Sequence, residues 1–193
     1  MLDTINEELQ IIITNFGILA PIISSLLIIL ESLIPLLPLV MFVSINFLLL
    51  GPLLGLAIST VCAIVGSVIV FIFFRNKVQK KFNHKIVNAK RTKKLLTKLN
   101  NIHLTTLVIL IANPFLPSSL INVASGLSKI TKKKYIIALI IGKIFLIYFW
   151  GTIGTGLLES LQNPKILIEL GIITLIAYII SKIVNKKYKI DWG

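Results

Sequence analysis

The 193-residue chain is 56% hydrophobic and only 14% charged, with a mean hydropathy of +0.95. A soluble domain of this size has too little interior to hide so much apolar surface, so composition excludes one and predicts a polytopic membrane protein. The formal charge of +13 is concentrated in three basic clusters, Arg75–Lys98, Lys129–Lys134 and Lys182–Lys189, with no Lys or Arg before Arg75.

These clusters flank apolar stretches. The positive-inside rule therefore predicts that they share the cytoplasmic side of a multi-pass protein of the cell membrane, with the C-terminus cytoplasmic. Attraction to anionic lipid headgroups accounts for the charge, and no nucleic acid is expected. A single cysteine, Cys62, excludes an intramolecular disulfide.

Residues 1–10 hold Asp3, Glu7 and Glu8 and no basic n-region, so no signal peptide is expected. Residues 9–30 are apolar and long enough to cross, and Pro21 with Ser24–Ser25 predicts a kink. Glu31 follows, then Pro35 and Pro38. The apolar arm Leu39–Leu50 is short against the roughly 20 residues needed to span. This predicts a re-entrant hairpin with its tip at Pro35–Pro38. A full crossing by 9–30, with only 31–50 re-entering, is the alternative. Gly51–Pro52 is a break, and 53–74 reads as a transmembrane helix. Its small residues Gly55, Ser59, Ala63, Gly66 and Ser67 form a stripe that permits close packing. Arg75 ends it.

Residues 76–103 form a basic loop whose apolar residues recur at roughly helical spacing, predicting short amphipathic helices on the inner leaflet. His84 and His103 lack metal-ligand spacing, and no metal or cofactor is expected. Residues 104–128 carry Pro114 and Pro117 with Asn113, Ser118, Ser119 and Asn122 around them. Both arms are too short to cross and both flanks are basic, which predicts a second re-entrant hairpin. A helix over 135–158 runs outward, with Tyr148 and Trp150 read as interface anchors. A turn precedes a last spanning helix over 166–182.

The expected fold is all-α and polytopic, a single integral membrane domain. Two opposed re-entrant hairpins and three to four transmembrane helices form an inverted repeat, a plan of secondary transporters.

Three blocks occur in order over about residues 30–156. They are Glu31 with Pro35 and Pro38, Gly66-Ser67-x-x-x-Phe71-x-x-x-Arg75, and Pro114-x-x-Pro117-x-x-x-x-Asn122-x-x-x-Gly126. Together they resemble the DedA, or SNARE-associated (VTT-domain), membrane proteins. The resemblance implies lipid translocation, either scrambling of phospholipids or return of undecaprenyl phosphate across a bacterial membrane. The chain departs from the family's pattern in three places. No Arg stands just before Pro114, no acid just after Pro38, and residue 74 is Phe rather than Gly.

Substrate-binding candidates are Glu31, Asn113, Ser118, Ser119, Asn122 and Lys143. An acid flanked by apolar runs is costly in a membrane. Glu31 is either solvated at the outer interface or a buried proton- or headgroup-binding group. Lys143 either snorkels to the headgroups or faces a cavity and replaces the absent Arg as a phosphate contact. The Asn and Ser side chains, Asn46 included, bind a headgroup or satisfy broken hairpin backbone. Pro35, Pro38, Pro114 and Pro117 are hairpin tips on either account. Arg75 is a helix-end anchor or a phosphate contact.

No catalytic constellation is present, so an enzyme is not expected. The expected function is a transporter or scramblase for a phosphate-bearing lipid. The alternatives are a non-transporting membrane-integrity or assembly factor whose basic loop docks a partner, and a proton-coupled solute transporter. Membrane lipids are the expected partners, and a homo-oligomer is allowed.

Overall fold

A computed structural model describes residues 17, 19–34, 38–78, 99–100, 102–161 and 163–188. The basic loop over 79–98, His84 and the tip residue Pro35 lie outside the described residues, as do the chain ends. The helices are α1 (Leu19–Glu31), α2 (Leu39–Phe73, continued by a π-helical turn Phe74–Val78), α3 (Leu104–Ala112), α4 (Ser118–Leu127), α5 (Lys132–Glu159) and α6 (Lys165–Tyr188). There is no strand among the described residues.

The kink expected from Pro21 is absent. Pro21 is the third residue of α1, in the first turn, where a missing N–H removes no helical bond. At the standard rise the 13 residues of α1 reach only about 20 Å, too short to cross the hydrocarbon core.

The break at Gly51–Pro52 is sharper than a kink. Gly51 has φ +79° and ψ 165°, a left-handed backbone that favours glycine, and Pro52 restarts the helix with its φ already set. The chain folds back there. Asn46 Nδ2 donates to Ser59 Oγ at 2.9 Å, a contact a continuous helix would forbid across 13 residues. The long apolar element is thus a short arm, 39–50, laid against a long one, 52–73.

Small residues set the closest helix crossings. The stripe Gly55, Ser59, Ala63, Gly66 and Ser67 is buried throughout. A Cβ on Gly66 would lie 2.6 Å from the Ile29 carbonyl oxygen of α1, and one on Gly55 2.7 Å from the Asn46 carbonyl. The α3–α5 crossing repeats the device, with Gly142 against Ile111 and the Val108 carbonyl. Backbone cannot yield as a side chain can, so Gly66→Leu is expected to destabilise the fold by about 1–3 kcal/mol. A denaturant titration of the purified protein measures this. Gly171→Ala, with nothing within 4 Å of the added Cβ, is the silent control.

Two apolar clusters stack along α5. Tyr135, Ala138 and Leu139 pack with Leu107, Leu110 and Ile111 of α3 and with Phe71 of α2. Higher on the same helix, Leu146 and Ile147 pack with Ile28 of α1 and with Val43, Phe47 and Ala63 of α2. The elements α1 and α3 thus pack against different parts of α5, and Lys143 falls at the boundary.

Arg75 closes the far end of the lower cluster. Its guanidinium donates to the carbonyls of Gly126 (2.8 Å), Ser125 (3.0 Å) and Ile130 (2.8 Å) and lies 4.7 Å over the Phe71 ring. The Ser125 and Gly126 carbonyls lie in the last turn of α4, where a cation is favoured. α6 is peripheral: only 11% of its most apolar window is buried inside the protein. Asn113 Nδ2, donating to Ser181 Oγ at 2.8 Å, ties it to the bundle.

Candidate functional site

The two proline breaks meet. Pro38, Leu39 and Val40 from the first, and Pro114 to Ser118 from the second, border one cavity of about 270 Å³. Glu31 forms part of its wall, and Leu146 and Trp150 of α5 complete it.

Prolines dictate this geometry. Pro38 and Pro117 occupy the N-cap positions of the short arm of α2 and of α4, and neither helix start has a side-chain cap. The first N–H groups of a helix have no partner within it, and together they carry positive partial charge. Two uncapped helix starts therefore open onto the same cavity, since Leu39, Val40 and Ser118 all line it. Such ends favour an anion.

Two formal charges accompany them. Glu31 is 6% exposed, and its Oε2 has no hydrogen-bond partner among the described residues. A buried acceptor left unmade costs about 1–3 kcal/mol, more when charged. Lys143 is 1% exposed and donates from Nζ to Ser118 Oγ at 3.1 Å, so it backs the cavity wall through that hydroxyl. Its charge acts favourably on Glu31, although the two form no direct ion pair. Lys143 does not snorkel. Its helix begins at Lys132, three residues before the expected 135, which places it eleven residues in, about 17 Å along the axis.

The other expected site residues divide. Ser118 lines the cavity, and Ser119 beside it is buried with its Oγ unpartnered. Asn113 is committed to structure: its Oδ1 accepts from the Phe115 N–H (3.0 Å), turning the loop, while its Nδ2 holds α6. Asn122 is equally committed, donating to Ser67 Oγ (3.1 Å) and accepting from Tyr135 Oη (2.8 Å) in the lower cluster. Asn46 does the same for the first hairpin, bonded to Ser24, Ser25 and Ser59. Arg75 is part of the α4 end described above and takes no part in the cavity wall.

The model of the VTT domain matches residues 34–156, about two thirds of the chain. This protein belongs to the VTT-domain (DedA) family. A relative in Bacillus subtilis (strain 168), the "Uncharacterized membrane protein YhjE", is 29% identical over 178 residues, covering 92% of this chain and 86% of its own. No solved structure matches. The protein is accordingly a VTT-domain membrane protein, with three helical elements among the described residues long and apolar enough to cross a membrane.

Sequence reasoning missed the apolar lining of the VTT-domain cavity, its two aromatic residues included. Trp150 was expected at an interface; it is half-buried and lines the wall, while Tyr148 is 59% exposed. The spacing Lys143, Leu146, Trp150 puts all three on one helix face, a signal the sequence does carry. Phe115, between the two prolines, gave no such signal.

Proposed function

We propose that this protein carries a phosphate-bearing lipid between leaflets without altering it chemically, with the headgroup held between the two proline breaks. The observation that carries the reading is the convergence of two uncapped helix starts on one cavity, with Lys143 bonded to Ser118 behind its wall. That set favours an anion, and a phosphate fits both the donors and the space. One proton of the Lys143 ammonium is on Ser118; a phosphate takes up others. Glu31 then acts as a proton-carrying partner, donating to the phosphate when protonated, with the Lys143 charge acting favourably on its ionised form.

The same reading makes both hairpins re-entrant. The cavity lies at Leu146 and Trp150, about halfway along the 28 residues of α5, so tips that reach it stop near mid-membrane. An inverted repeat is supported by the paired crossings, Gly66 on the last turn of α1 and Gly142 on the last turn of α3. The basic clusters then face the cytoplasm.

Reconstitution tests this. Liposomes holding the purified protein are expected to expose a fluorescent polyprenyl phosphate or phospholipid of the inner leaflet to an external quencher within minutes. Protein-free liposomes and liposomes holding an unrelated helical membrane protein stay protected. Exposure no faster than in those controls overturns the proposal.

A further inference from the structure

Phe115 borders two spaces at once. Beside the polar cavity runs an apolar groove of about 480 Å³ between α5 and α6, lined among others by Phe115, Ile153, Leu170, Gly171, Thr174 and Tyr178. Phe115 and Tyr178 meet edge to face, with centroids 5.6 Å apart, at the junction. The lining beyond them carries no charge, whereas the cavity on the near side has Glu31 and Ser118.

An amphipathic ligand needs this pair of environments in this order. We infer that the groove between α5 and α6 takes the hydrocarbon chain of the lipid whose phosphate occupies the cavity, the chain leaving past the Phe115–Tyr178 pair. The inference rests on the headgroup reading above. The groove, not the general lipid surface, is the chain's path because Phe115 lines both it and the cavity. Asn113 supports this arrangement, since it fixes the loop bearing Phe115 to Ser181 on the groove-forming helix. The Phe115–Tyr178 pair thus separates headgroup from chain and sets which chains pass.

Gly171 offers a clean probe. A Cβ there meets no atom within 4 Å, so a larger side chain enters the groove without displacing backbone. The experiment uses full-length protein in dodecyl maltoside, a detergent without phosphate, and hexadecyl phosphate with a diazirine at the chain end. Irradiation is expected to label Ile153–Leu157 and Leu170–Tyr178. Unlabelled hexadecyl phosphate suppresses that labelling and hexadecanol does not. Gly171→Leu reduces it by about tenfold, whereas binding of butyl phosphate, followed by phosphorus NMR, stays at the wild-type level.

Labelling outside the groove, or groove labelling that hexadecanol suppresses equally, overturns the inference while butyl phosphate binding leaves the headgroup reading standing. Failure of butyl phosphate to bind the wild type removes the headgroup reading and this inference with it.

Discussion

Lys143→Gln is expected to slow lipid exposure in the liposome assay by about 100-fold or more, roughly 2.7 kcal/mol in the barrier. A charge at this depth is costly, and removing Lys143 takes away a favourable charge acting on Glu31, at a stability cost of about 1–3 kcal/mol. Lys143→Gln leaves Glu31 without that charge, so lost transport alone could reflect a damaged fold. The double variant Glu31→Gln/Lys143→Gln separates the two. With both charges gone, the denaturation midpoint is expected to return close to wild type, while transport stays at the level of the single variant. Recovery of transport along with stability would make the pair purely structural and remove Lys143 from the site.

The helix-break-helix pattern was legible because proline and glycine act locally. Pro38, Pro117, Gly51 and Pro52 each fix one backbone position, and each marks a helix boundary in the structure. The stripe Gly55 to Ser67 was legible for a related reason: a missing side chain is visible in sequence whatever it packs against. Which face of α5 turns inward was not legible. Leu139 and Leu146 are buried while Ile140 and Ile144 are more than 40% exposed, yet all four are aliphatic. In a lipid-facing helix the outer surface is as apolar as the core, so the periodicity that orients a soluble helix fades. The place of Trp150 in the cavity wall was missed for that reason. The amides of Asn113 and Asn122 were open to either reading because their partners, Ser181, Ser67 and Tyr135, come from other helices.

Cysteines placed at Val40 and Phe115 are expected to behave as one site. The two positions are 75 residues apart in the chain, on different proline breaks, yet border the same cavity. In a Cys62→Ala background, both Val40→Cys and Phe115→Cys should react with a small membrane-impermeant methanethiosulfonate. In sealed vesicles both should react from the same side of the membrane. Hexadecyl phosphate should slow both by about tenfold, as occupancy of a shared space requires. Leu53→Cys, on an exposed position just after the Gly51 break, should be indifferent to the ligand. Reaction of the two sites from opposite sides, or protection of one alone, means that the tips border separate spaces. The converging helix starts would then face different ligands, and the single-headgroup arrangement would have no physical basis.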